Sequence, residues 1–382
     1  MNKYTSRERV LRAINHKEAD RVPIYLGGSA GKFYISTAKK LMKIFSISEK
    51  KLELKQTPIK YVPFCEELWQ ELGIDVRYIY PKLESDKLYE AQFRGGKYKN
   101  IWGSTFQFTD HDGEMTNLES GTYFKKADLT ELDNYDWPKA DKAMFEGLGE
   151  QAKLLSNNGE YAVAIFRPFM GGIFSVSRYC LRGSVSFFED MIINPKFVEK
   201  LLGYVLKVQK EFYGILLDKV GNFADIIEIE DDLGMQTGML ISPESYRSII
   251  KPKHKELVEF IKDKSPNIKV LLHCDGAIRE VIPDFIDIGI DILNPIQVNA
   301  KGMELEYLKN EFGKDIVFAG AVDVAALEGS IENLELCVRK TIDTMAPGGG
   351  YLLGPSHNFS TIVPPENIIA MSKFAKEFGT YS

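Results

Sequence analysis

FADIIEIEDD (223–232), SPESYRSIIKPKHKELVEFIKD (242–263), KVLLHCDG (269–276), IREVIPDFIDIG (278–289) and DILNPIQ (291–297) follow one another along the chain. Short β-branched, apolar runs alternate here with stretches of helical periodicity, the pattern of βαβ units wound into a parallel sheet. Downstream the alternation continues: ELEYLKNEFG (304–313), IVFAGAVD (316–323), ENLELCVRKTIDTMA (332–346), GYLLGPSH (350–357) and PPENIIAMSKFAKEFG (364–379) complete five βα units. Ser242 with Pro243 and the pair Pro364–Pro365 read as helix starts, and Gly289 and Gly313 as helix ends. Upstream, VPIYL (22–26), DVRYIY (75–80) and YAVAIF (161–166) supply further strand candidates and bring the count to eight. The expected fold is therefore α/β, a single (β/α)8 TIM barrel spanning 1–382. The stretch 83–137, with its aromatics, Gly95, Gly96, Gly103 and the turn-like DHDG (110–113), reads as a hairpin-bearing insertion. It is too long to be structureless, so it should form a small subdomain or cover the active site.

Composition supports one large globular unit: 382 residues, 44% hydrophobic and 27% charged. The length alone would suggest two or three domains, but α/β barrels often exceed that prior as one. A net charge of -6, from 48 basic and 54 acidic residues without a basic tract, offers no footprint for nucleic acid. The polar start MNKYTSRERV and the lack of an apolar run of about 20 residues argue against secretion and membrane spanning, so a cytoplasmic location is expected. Cys65, Cys180, Cys274 and Cys337 lack CxxC spacing, which argues against a disulfide framework or zinc ribbon.

In such a barrel the chemistry sits at the C-terminal ends of the strands. Those ends carry Glu228, Glu230, Asp231 and Asp232; His273 and Asp275; Asn294; Asp323; and His357 with Asn358. His273 and Asp275, one residue apart on an extended segment, point to the same side, and imidazole plus carboxylate are ordinary ligands of a divalent metal. Closure of the barrel would add His357 to that pair, with Glu230 nearby, leaving an open position for water or substrate. The plainer reading keeps His273 as a hydrogen-bond partner of Asp275 or backbone and His357 as a strand terminator. Cys274 points the other way and should pack. Glu230, Asp231 and Asp232 are candidates for acid–base work or for holding substrate, with Glu228 on the face of Glu230. Arg167, in FRPFMGG, either grips a substrate carboxylate or phosphate by its planar fork or forms a salt bridge with the acidic run. Asn294 and Asn358 complete the substrate-facing candidates.

TSRERVLRAINHKEADRVPI (5–24), the segment 167–202 from RPFMGG to FVEKLL, the segment 230–257 from EDDLGM to PKHKEL, AGAVDVAAL (319–327) and VPPENI (363–368) together resemble the uroporphyrinogen decarboxylase superfamily over nearly the whole chain. The resemblance implies the (β/α)8 barrel but leaves the activity open. Decarboxylases of the family carry an arginine-rich segment like RQAGRY after the first strand, which neutralises the carboxylates of a tetrapyrrole. Here that place reads YLGGSAGKFYIS (25–36), with Lys32 as its only cation. The other branch, the cobalamin-dependent methyltransferases, holds zinc through an HxC after the fifth strand and a cysteine after the eighth. His273, Asp275 and His357 stand at those positions, so both thiolates are replaced and the site is harder.

These readings combine into one expectation: a metal-dependent methyltransferase that moves a methyl group from a small donor, such as a methoxylated aromatic, to a corrinoid protein. His273, Asp275 and His357 would hold Zn²⁺. Glu230, Asp231 and Asp232 would serve catalysis, and Arg167, Asn294 and Asn358 would bind substrate. The corrinoid would be carried by the partner protein, and a homodimer is compatible with the reading. The alternatives are a decarboxylase acting without metal and a non-catalytic corrinoid-binding barrel.

Overall fold

The computed structural model describes residues 3–52, 61–62, 65–81, 97–108, 115–118, 123–169 and 171–381. His111, the DHDG turn and Gly95–Gly96 lie outside the described residues. Seven strands form one parallel sheet: β1 Val76–Ile79, β2 Ala162–Ile165, β3 Ile226–Glu230, β4 Lys269–His273, β5 Ile292–Ile296, β6 Val317–Val322 and β7 Tyr351–Pro355. Their order in space is their order in sequence. All five βα units expected from residue 223 onward are present, each strand followed by helix.

Residues 22–26 lie between the two outermost strands. Tyr25 N donates to Leu353 O at 2.7 Å, Leu353 N to Pro23 O at 2.9 Å, and Asp75 N to Ile24 O at 2.9 Å. The layout is that of a curled parallel sheet consistent with a TIM-like barrel. VPIYL makes an isolated bridge rather than the expected strand. Pro23 has no N–H to give, and the N–H of Ile24 is taken by the Asp75 carboxylate at 2.7 Å, so a regular ladder does not form.

Both faces of each strand are buried, which explains why the strands read as apolar runs rather than as alternating ones. One face, with Tyr78, Ala164, Ile226, Leu271, Val317 and Leu352, fills the interior of the curl. The other, with Ile165, Ile227, Val270 and Leu272, packs under the helices. The helix Ser6–Ile14, started by a Thr5–Glu8 capping box, adds Val10, Ala13 and Ile14 to the interior cluster. Arg7 bonds Asp225 just before β3, and Arg9 and Arg21 share the fully buried Asp75 just before β1. These ion pairs close the N-terminal end of the sheet, so the C-terminal ends of the strands are left for function.

Within the expected insertion, Lys97–Lys99, Thr105–Phe108 and Met115–Leu118 pair as a three-stranded antiparallel sheet. Its neighbours reach the helical segment after β2: Ser104 Oγ donates to Cys180 O at 2.5 Å and Phe124 N to Leu181 O at 2.9 Å. Among the described residues no helix is long and apolar enough to cross a membrane.

Candidate active site at the barrel mouth

Side-chain alternation along β3 sends Glu228 and Glu230 to the inside, with Asp232 following them, and sends Asp231 outward. Glu228 is fully buried. It accepts from Tyr78 OH at 3.0 Å, from Ser29 N at 3.1 Å, from the Ser29 hydroxyl, and from Arg167 Nη1 at 3.1 Å. Arg167 also pairs through Nη2 with Glu230 and donates through Nε to Phe169 O at 3.0 Å. Of the two roles open to Arg167, the structure realises the salt bridge. A fork engaged on three sides within the protein is not presented to a substrate.

The backbone around Gly28 closes over Glu228. Gly28 has φ +66°, and a Cβ there would lie 2.2 Å from Glu228 Oε2 and 2.4 Å from Tyr78 OH, so only glycine allows the approach. Lys32 follows, its ammonium 4.5 Å from the centre of the Phe166 ring. Burial and the neighbouring Arg167 push it down to about 8, against the pull of Glu228 and Glu230. Asn358 Oδ1 accepts from Lys32 N at 3.0 Å and so pins this segment to the end of β7.

Asp231 departs most from its expected role. Its oxygens accept from Phe174 N and Ser175 N, both at 2.7 Å, and pair with His254 Nε2 at 2.9 Å. It is fully buried and ties together the helices that follow β2 and β3, both of which pass into a π-helical turn after their first α-helical turn (Val176–Arg182 and Tyr246–Ile250). It is a structural tie, away from the mouth. Cys274 packs in the core with no exposure, as its parity requires.

Asp232, His273 and Asp275 come together, with ligand-competent atoms all within 4.8 Å of one another. His273 Nε2 is 3.8 Å from Asp275 Oδ2, and His357 Nε2 is 3.7 Å from the same oxygen. His273 is turned by Asn294, whose Oδ1 lies 3.1 Å from Nδ1 and whose Nδ2 donates to Ala319 O at 3.4 Å. With Nδ1 as donor, the lone pair of Nε2 faces the carboxylates. Asn294 thus orients His273. Asp275 is held in turn by Gln297 Nε2 at 2.7 Å, while Gln297 Oε1 accepts from Gly276 N at 3.0 Å.

Charge is crowded here. Burial, then Glu230 and Asp275, push Asp232 up to about 7. Burial opposes the charged imidazole of His273, but Asp275, Asp232 and Glu230 outweigh it and raise the group above its ordinary value. His357, half-exposed, is held below its ordinary value by its partly buried ring position, in spite of Asp275. Were the cluster to hold zinc, Asn294→Leu should weaken that binding by about 10- to 100-fold, the usual loss when the partner orienting a ligand histidine is removed, measured by competition with a chromophoric chelator.

Sequence reasoning missed Ser29, Gln297 and the closing role of Gly28. The paired glycines of YLGGSAGK were the available signal, since consecutive glycines beside a strand end mark close backbone approach.

The profile of the family described as uroporphyrinogen decarboxylase (URO-D) matches residues 101–378, more than half of the chain. The chain belongs to the uroporphyrinogen decarboxylase family. Curated URO-D relatives include the uroporphyrinogen decarboxylase of Hordeum vulgare, 23% identical over 235 residues, which are 60% of this chain and 67% of that one. That of Chloroherpeton thalassium is 24% identical over 217 residues, 55% of this chain and 58% of the relative. These alignments span roughly half to two thirds of the chains compared. Among solved structures, a methyltransferase from Methanosarcina mazei superposes with a TM-score of 0.65 at 17% identity, covering 98% of this chain and 99% of that one. At that identity the likeness shows a shared fold. The family match covers six of the seven strands, from β2 onward, and the site residues must carry the functional argument.

Proposed function

We propose that this URO-D family chain is the demethylase component of a corrinoid-dependent methyltransferase, taking a methyl group from a small methoxylated aromatic donor and delivering it to the reduced corrinoid of a partner protein. The observation that supports this most is the cluster of Asp232, His273 and Asp275 in an acid-rich mouth. Glu228, Glu230, Asp232 and Asp275 crowd there, and Arg167 is already matched to the first two. The remaining acidity favours a divalent cation and disfavours a polyanionic substrate.

In this reading His273, Asp275 and Asp232 would hold Zn²⁺, and His357 stands beside Asp275 outside the ligand set. Nitrogen and carboxylate oxygen donors without thiolate suit a Lewis-acidic site. Bound there, Zn²⁺ would polarise the ether oxygen of the donor. The chain's own residues supply the rest. Asn294 keeps Nε2 of His273 turned toward the carboxylates, Gln297 keeps Asp275 in place, and Arg167 holds Glu230 at the mouth, where its carboxylate can accept a hydrogen bond from the hydroxyl left once the donor oxygen has taken up a proton. The methyl–oxygen bond breaks with its electron pair left on oxygen, and the methyl group passes to the corrinoid. The architecture in this account is one (β/α)8 barrel, completed by residues 22–26, with Ser104 and Phe124 of the expected insertion bonded to the helical segment after β2.

Decarboxylation of a tetrapyrrole fits less well: Gly27, Gly28 and Ser29 close over Glu228 where arginines would be needed. A non-catalytic corrinoid-binding barrel would need no metal. The test is transfer from methoxylated aromatics to cob(I)alamin by zinc-loaded protein, followed by absorbance. Methylcobalamin should appear with zinc and not with chelator. Release of carbon dioxide from uroporphyrinogen, with no methyl transfer from any donor, would overturn the reading in favour of the decarboxylase.

A further inference from the structure

One cation near the mouth has no part in the ligand cluster. Arg178 lies in the π-helical turn Val176–Arg182, three residues beyond Ser175, whose Oγ accepts from Asp232 N at 3.2 Å. Phe174, over whose ring the guanidinium lies, donates its N–H to Asp231, the neighbour of Asp232. Its guanidinium carbon lies 5.3, 5.8 and 6.0 Å from the ring centres of Phe174, Tyr179 and Phe188. Nη1 donates to Ser184 Oγ at 2.8 Å, but Nε is buried without an acceptor. Among the described residues Arg178 forms no ion pair, whereas Arg167 and Arg182 in the same region are both paired with carboxylates. Burial pulls Arg178 below the ordinary guanidinium value, and Asp231 and Asp232 are the main charges acting the other way.

The other buried side-chain donor without a partner, among the described residues, is Trp102 Nε1. It belongs to the same layer: Asn100 and Ser104, on either side of Trp102, bond Cys180, two residues after Arg178. A buried guanidinium with an idle donor is costly, and aromatic faces compensate only in part. An anion arriving with the ligand would complete it, in the bidentate manner for which arginine is suited.

We propose that Arg178 is the anion-recognition residue of this site, so that the donor is an aromatic acid whose carboxylate is held by Arg178 while its methoxy group faces Asp232, His273 and Asp275. The methoxy half of this statement rests on the methyl-transfer reading; the carboxylate half does not. Tyr179, half-exposed beside Arg178, gives the same position an aromatic surface suited to a flat ligand.

The test titrates 4-methoxybenzoate and neutral methoxybenzene into protein exposed to zinc, as wild type, Arg178→Gln and Arg178→Lys, with thermal unfolding to confirm that each is folded. Wild type should prefer the acid. Arg178→Gln should bind it about 10- to 100-fold more weakly, the range for a lost charge-assisted hydrogen bond, and Arg178→Lys should fall between. Methoxybenzene should bind all three alike. Unchanged affinity for the acid in Arg178→Gln, or no binding of the acid to wild type, overturns the proposal. Zinc content separates the two claims: protein that binds the acid through Arg178 yet holds no zinc keeps the anion site and removes the methyl-transfer reading.

Discussion

Arg167→Met should lower the unfolding free energy by about 3–5 kcal/mol, the loss typical of removing one partner from a buried charge pair. The physical reason lies in what remains. Glu228 has no exposure and Glu230 little, and both would keep their positions without the guanidinium that balances them. Ser29 and Tyr78 still donate to Glu228, so its lone pairs stay occupied, but no charge offsets it. Urea unfolding of wild type and variant measures the difference. Adding Glu228→Gln to Arg167→Met should recover part of the loss, because the double variant no longer buries that carboxylate unpaired. A loss below about 1 kcal/mol would place the pair in the class of weak surface bridges and undo this description of the mouth.

His273→Ala should weaken zinc binding by at least about 100-fold, more than the loss from a residue that only orients a ligand. The chelator competition used for Asn294→Leu measures it. His16→Asn is the control, since His16 sits far from the mouth with Nδ1 3.1 Å from Gly313 O and a positive φ that asparagine tolerates. Equal weakening in both variants would mean that general destabilisation, not ligand loss, moved the affinity.

The parts of this protein legible in its sequence are those governed by local periodicity. Five successive βα units from residue 223 declare themselves because buried parallel strands are short apolar runs bounded by helix caps, and 269–273 and 292–296 fall within the runs expected. The His273–Asp275 pair is legible for the same reason, since spacing fixes which side each faces. At Glu230–Asp231–Asp232 parity turns the middle acid outward but does not name its partners. The three acids look alike as a run, but the middle one meets the amides of Phe174 and Ser175 and the imidazole of His254, none of which adjacency in sequence reveals. Arg167 shows the same limit: fork and salt bridge were both open until the structure set its guanidinium against Glu228 and Glu230. Ser29 meets Glu228 across 199 residues of chain, a contact made only when the sheet curls. VPIYL failed as a strand for a local reason that was visible, the missing N–H of Pro23.

Metal content tests the central claim most directly. Wild-type protein exposed to Zn²⁺, dialysed exhaustively and subjected to elemental analysis should retain about one zinc per chain, as a site with three protein ligands and an open position would. Folded protein that retains none would contradict the account and leave Asp232, His273 and Asp275 as an acid–imidazole cluster without a metal to hold.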